Sequence, residues 1–180
     1  MPGRQVTTKL MFAIIVLLGV SAPASAQEVD YTPVTDERLR SPDAADWLMY
    51  RGTYDSWGYS SLDEITTENV GELKPVWTMS TGVTSGHQSP PIVNDGVMFV
   101  TTPEDQVIAI DARAGEVLWR YRKILPDDVG RPHWTNRGVG LHGDRVFVTT
   151  HDSYVVALDA RTGNVEWEAA VADYTHGYYM

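Results

Sequence analysis

The chain has 180 residues, no cysteine, and 24 Asp plus Glu against 14 Lys plus Arg, a formal charge of −10. This length fits one domain or part of one. The charge argues against a nucleic-acid binder, because an acidic surface repels phosphates. Without Cys there is no disulfide scaffold, thiolate zinc site or thiol catalysis. At 43% apolar the chain has ample material for a packed core.

In chain order, the first predicted element is a leader. Arg4 and Lys9 precede the apolar run Leu10–Val20, and Ala24-Ser25-Ala26 then gives an A-x-A site before Gln27. Eleven apolar residues rise only about 16 Å as a helix, against a bilayer core of roughly 30 Å, so no stable membrane span is expected after cleavage. Residues 1–26 are thus read as a secretory signal peptide cleaved after Ala26. The absence of Cys excludes a lipoprotein. The expected location is the periplasm, with residues 27–180 as the mature part.

Beyond Asn69, short β-branched runs alternate with Gly, Asp and Asn turns. Pro91-Ile92-Val93, the hairpin signal Asn94-Asp95-Gly96, and Val97–Thr102 read as two antiparallel strands. Gln106–Asp111 follows as a third, and after Ala112-Arg113-Ala114-Gly115 a fourth spans Glu116–Tyr121. The pattern then recurs. Placing Phe99–Trp119 over Phe147–Trp167, a shift of 48 without a gap, matches 12 of 21 positions, where chance gives about one or two. Four strands per repeat of this length indicate a β-propeller blade, in an all-β fold. A weaker third copy ends at Trp77, in Val70-Gly71-Glu72-Leu73-Lys74-Pro75-Val76-Trp77, so about three blades are expected.

Both full copies contain A-x-D-x-x-x-G-x-x-x-W: Ala109, Asp111, Gly115 and Trp119, then Ala157, Asp159, Gly163 and Trp167. Asp can accept hydrogen bonds from turn amides, and Gly supplies the positive φ. Trp returns on the outer strand, where it can stack between blades while its indole N–H reaches a carbonyl. These Trp residues are read as glue between blades.

This motif resembles the tryptophan-docking motif of the quinoprotein alcohol dehydrogenases, eight-bladed propellers that carry pyrroloquinoline quinone (PQQ). The resemblance extends through Asp46-Trp47-Leu48-Met49-Tyr50, Tyr54-Asp55, Tyr59-Ser60-Ser61-Leu62 and Thr67-Glu68-Asn69-Val70-Gly71-Glu72-Leu73. It continues in Ser89-Pro90-Pro91-Ile92-Val93, Leu125-Pro126-Asp127-Asp128, Asn136-Arg137-Gly138-Val139 and Thr149-Thr150-His151-Asp152. In order and spacing, these segments are similar to the methanol/ethanol dehydrogenase branch.

The resemblance implies a set of cofactor contacts. Gln88 stands where the family has a Glu beside the quinone, Arg137 would hydrogen-bond the quinone oxygens, and Thr150 would contact a cofactor carboxylate. A planar guanidinium with hydroxyl and amide donors suits a planar tricarboxylate. A surface Arg, an ordinary strand Thr and a polar loop Gln are the plainer readings of the same residues. Two departures stand out. Gln88 replaces the Glu, and the family's adjacent Cys pair is missing from Gly130-Arg131-Pro132-His133-Trp134-Thr135. There, His133 or Trp134 covering the ring and a simple loop role are equal readings.

The five His show no metal-ligand spacing, and no nucleophile elbow or phosphate-cradling loop is present. Glu104-Asp105 and Asp127-Asp128 read as solvated turn acids. The resemblance implies oxidation of an alcohol to the aldehyde, with a calcium or lanthanide ion as Lewis acid, an Asp base and a cytochrome c-type electron acceptor. The metal ligands and the base are expected beyond residue 180, so this chain would be the N-terminal part of the enzyme and no catalytic residue is assigned within it. The alternative is a non-enzymatic secreted propeller used for binding or assembly. The Trp47–Leu73 signature and Arg137 speak against that alternative.

Overall fold

In a computed structural model, residues 29–84, 86–130, 133 and 135–180 are described. The leader segment 1–26 and Trp134 lie outside them. Two four-stranded antiparallel sheets form, each in simple up-and-down order. The first contains β1 (Ile92–Asn94), β2 (Val97–Thr102), β3 (Gln106–Asp111) and β4 (Val117–Arg122). The second contains β5 (Gly140–His142), β6 (Arg145–Thr149), β7 (Tyr154–Asp159) and β8 (Val165–Ala170). Each strand of the second sheet starts 48 residues after its counterpart. Even the register irregularity recurs, between Ala109 and Ile110 and again between Ala157 and Leu158.

The residues dictate these strands locally. In β2, Val97, Phe99 and Thr101 are buried while Met98 and Val100 are only half-buried, the period of two that fixes which face meets the core. Asp95 and Gly96 both adopt positive φ, +51° and +78°, as a two-residue hairpin matched to strand twist requires. The core is made of Phe99, Ile108, Ile110, Val146, Val148, Val156 and Leu158, all essentially inaccessible.

An N-terminal arm ties the two sheets together. Val34 pairs with Gly143 beside the second sheet, and Trp47 pairs with Val93 of the first. Tyr31 meets the Phe99 ring edge-on at 6.2 Å. Between these points runs α1 (Asp36–Arg40), whose N-terminus is capped by the Thr35 hydroxyl. Arg38 donates to Asp46 Oδ2 and Asn94 Oδ1, both at 2.8 Å. From the second sheet, Arg161 donates to the Tyr31 carbonyl at 2.8 Å.

The repeated motif does in the fold what its residue types imply. Asp111 Oδ1 accepts from the Arg113 and Ala114 amides, and Asp159 Oδ1 from those of Arg161 and Thr162. The Ala114 amide, then that of Arg113, holds the Asp111 carboxyl below its ordinary pKa. Trp119 of the first blade lies on the second: its indole donates to the Ala160 carbonyl at 2.9 Å. A Cβ on Gly163 would stand 2.5 Å from the Trp119 ring. Trp77 repeats this seat one blade earlier, with its indole 3.0 Å from the Ala112 carbonyl and its ring against Gly115.

The third copy is therefore present as a docked tryptophan, although residues 73–91 form no strand among the described residues. Two complete blades are formed, with Trp77 placed as the last strand of a preceding blade would place it. Trp167, at the same position of the second blade, is 43% exposed, and every residue of β8 is exposed.

Candidate functional site

Where the linker joining the sheets meets the end of β6 and the β6–β7 turn lies a cavity of about 290 Å³. His133, Thr135, Asn136, Arg137, Thr149, His151, Tyr179 and Met180 line it. The chain carries 24 acids, yet no Asp or Glu is among the described residues on this wall.

Arg137 is exposed there, and its guanidinium makes no hydrogen bond or ion pair among the described residues. The backbone around it is fixed by its neighbour. Asn136 is buried, donates Nδ2 to the Thr149 carbonyl at 2.9 Å, and accepts the Gly138 amide at 3.1 Å. This closes an Asx-type turn that holds the tip at the end of β6. Gly138, at φ +117°, packs against Ser89 and Pro90; an added Cβ would lie 3.6 Å from the proline ring. The Ser89 hydroxyl accepts the Thr101 amide at 3.0 Å and so anchors that segment to β2.

The three expected cofactor contacts fall in different surroundings. Arg137 is on the cavity wall. Gln88 is exposed, outside the lining but directly before the Ser89-Pro90 segment on which the Arg137 turn rests. Thr150 is fully buried and is not on the wall; its hydroxyl donates to Asp152, and its amide to the Tyr154 carbonyl at 3.0 Å. Thr102, its counterpart in the first blade, likewise closes on its own turn by donating to the Pro103 carbonyl. The threonines on the wall are Thr135 and the exposed Thr149.

Asp105 corrects the expectation of a solvated turn acid. It is completely buried, accepting the His151 amide on Oδ2 at 2.9 Å and facing His151 Nδ1 through Oδ1 at 2.8 Å. A buried carboxylate needs such partners, since its desolvation is otherwise uncompensated. His151, 3% exposed, joins the blades and also reaches the His133 carbonyl through Nε2 at 2.7 Å. Next to it Asp152 lies 3.9 Å from Lys123 Nζ, which also pairs with Glu168 at 2.6 Å. Lys123 sits over the Tyr154 ring at 4.4 Å. Nearby, burial, then Glu168, Asp152 and Asp105, push the Tyr121 phenol up to about 12.

One signal for these residues was in the sequence. Within the matching repeat, the longest run of mismatches covers residues 103–106 against 151–154, Pro-Glu-Asp-Gln against His-Asp-Ser-Tyr. That block contains both Asp105 and His151. Among the described residues, no group of three or more His, Asp or Glu is arranged to hold a metal ion.

The chain is 39% identical to the quinoprotein alcohol dehydrogenase PedH of Pseudomonas putida, over 93% of this chain and 29% of that protein. It is 37% identical to a quinoprotein ethanol dehydrogenase of Pseudomonas aeruginosa, over 74% of this chain and 22% of that protein. The chain thus spans less than a third of these curated relatives. Among solved structures, the quinohemoprotein alcohol dehydrogenase from Comamonas testosteroni matches 81% of this chain and 22% of its own, at 34% identity and a TM-score of 0.67. A europium-containing methanol dehydrogenase matches 76% of this chain and 25% of its own, at 31% identity and a TM-score of 0.69. Residues 47–174 match the family model "PQQ: Glucose/ethanol/alcohol dehydrogenase, beta-propeller domain", and with both blades and the docking tryptophans inside that span, the chain belongs to this family.

Proposed function

We propose that this chain supplies the first blades of a PQQ-dependent alcohol dehydrogenase, which oxidises an alcohol to the aldehyde and passes electrons to a cytochrome c-type acceptor. The observation that carries the reading is this cavity: among the described residues its wall has no Asp or Glu, and Arg137 is exposed on it without a partner, in a chain of charge −10. Such a wall selects a planar anion, and the residues present fit PQQ. Arg137 offers a forked donor to adjacent oxygens, Thr149 a hydroxyl, and Gln88 an uncharged amide at the neighbouring segment. Thr150 behind the wall and Asn136 on it fix the strand end and the turn that present these groups. Bound PQQ supplies the two-electron acceptor for the alcohol. This chain's part is to orient it and to offset its negative charge.

The proposal extends to the ends of the protein. Residues 1–26 direct export to the periplasm, and residues 27–180 form the N-terminal part of the propeller. The calcium or lanthanide ion, its ligands and the catalytic base are supplied by sequence outside this chain. PedH and the europium-containing methanol dehydrogenase support this family setting. The test is to express the complete reading frame and add PQQ with calcium or lanthanum. Retained quinone absorbance and alcohol-dependent dye reduction are expected. A protein that keeps no quinone and reduces no dye with either ion overturns the reading.

A further inference from the structure

The seam contains a polar device with no counterpart in the repeat. His151 comes from the β6–β7 turn, Asp105 from the β2–β3 turn of the other blade, and His133 from the linker. Both ring nitrogens of His151 face oxygen acceptors: Nδ1 the Asp105 carboxylate at 2.8 Å, and Nε2 the His133 carbonyl at 2.7 Å. A neutral imidazole has one N–H and can satisfy only one acceptor. Asp105 also accepts the His151 amide, so two donors converge on this buried carboxylate. The other charged groups nearby are paired among themselves, Lys123 with Asp152 and Glu168. Among the described residues, Asp105 is the carboxylate in direct contact with the ring.

We propose that His151, kept doubly protonated by Asp105, is a positioning residue that pins the linker at His133 and thereby presets Arg137 for its anionic ligand. Besides the contacts of Lys123 and Asp128 nearer β4, two hydrogen bonds among the described residues hold the linker close to Arg137. Asn136 binds the Thr149 carbonyl just before Arg137, and His151 binds the His133 carbonyl three residues further back. With both made, the Arg137 turn approaches the cavity from a fixed direction. The ion pair is also oriented, with the imidazolium on the cavity wall and the carboxylate fully buried behind it. The benefit to the ligand rests on the PQQ reading; the pinned, charged ring does not.

The test uses protein from the complete reading frame, with ¹⁵N-labelled histidine. At pH 7 both His151 ring nitrogens are expected to carry protons. Asp105→Asn separates charge from geometry: its amide can donate to Nδ1, so the ring becomes neutral with Nε2–H still on His133. In that variant the amides of residues 135–138 should exchange as in wild type. In His151→Leu they should exchange about tenfold faster, and PQQ affinity should fall about tenfold, as expected for loss of a buried hydrogen bond from a charged donor. His151→Gln, which keeps an amide donor near His133, should restore the slow exchange; if the leucine variant fails to fold, His151→Phe, a ring without donors, takes its place. A singly protonated ring in the wild type, or unchanged exchange once the donor is removed, overturns the proposal. If the wild type binds no PQQ, the cofactor reading fails, while the ring signals and the exchange rates still decide the pin.

Discussion

Gly163→Ala tests whether the tryptophan seat, and not turn geometry alone, holds neighbouring blades together. The added methyl would stand 2.5 Å from the Trp119 ring, where a carbon–carbon contact needs about 3.5–4.0 Å. The indole must therefore retreat by about 1 Å, forfeiting a large part of its dispersion contact there. Its buried N–H bond to the Ala160 carbonyl is stretched beyond use, at about 1–3 kcal/mol. The residue also has φ +71°, which costs a non-glycine about 1–2 kcal/mol. Gly96→Ala isolates that last contribution, because Gly96 has φ +78° with nothing within 4 Å of an added Cβ. Urea unfolding of both variants in the complete protein should place Gly163→Ala about 2–4 kcal/mol below Gly96→Ala, with unchanged m-values. Equal losses, within about 0.5 kcal/mol, would refute the packing argument and leave backbone strain as the whole effect.

Three further outcomes follow from the same geometry. Arg137→Ala should weaken PQQ binding at least tenfold, by about 1.5–3 kcal/mol for a lost charge-assisted bond, and Arg137→Lys should restore only part of it because an ammonium lacks the forked donor; equilibrium dialysis reads both. Trp77→Ala should destabilise the complete protein by about 2–3 kcal/mol in urea, less than Trp119→Ala, because Trp77 is half-buried where Trp119 is 6% exposed. At alkaline pH, Tyr121, pushed up to about 12 mainly by burial, and Tyr31, raised further by burial, keep their protons in the fold. The unfolded chain loses those protons from about pH 10. Unfolded chains then bind fewer protons, so stability is full below about pH 10 and falls as pH rises towards about 12. Urea titrations between pH 9 and 12 should show this slope, flattened in Tyr121→Phe.

The blades were legible because their determinants are local and repeated. The Asn94-Asp95-Gly96 hairpin, the alternation in Val97–Thr102 and the Asp-to-Trp spacing each act within a few residues, so pattern and fold coincide at all eight strands. The Val70–Trp77 copy behaved differently: its tryptophan is docked against Gly115, but the strand it implies has no partner among the described residues. Arg137 is singled out by the motif it belongs to, and it lies on the cavity wall. Thr149 was not, because Thr149 and Thr150 are adjacent strand-end residues, and only the register of β6 decides which one faces the cavity. Asp105 read as a solvated acid because it sits in a turn beside Glu104. Its burial comes from His151, 46 residues away on another blade, and no local rule anticipates that partner.

The internal repeat itself separates architecture from site. Positions that match across the 48-residue shift include Phe99 and Phe147, Asp111 and Asp159, Gly115 and Gly163, and Trp119 and Trp167. Each pair makes corresponding contacts within its own blade: the Phe–Trp ring pairs lie at 5.8 and 5.9 Å, and the Asp-capped turns close alike. Such residues answer to the blade, which needs the same things every time. The block that breaks the match, residues 103–106 against 151–154, lies at the opposite end of the strands, where the β6–β7 turn meets the cavity. There the first blade contributes the acid Asp105 and the second the base His151, and a strict repeat could not form that heterologous pair. Thr150 falls on the matching side of this division together with Thr102, and its hydroxyl is used inside its own turn. In a propeller built of near-identical units, asymmetric chemistry has to come from where the units differ, and in this chain the longest such difference borders the cavity wall that presents Arg137.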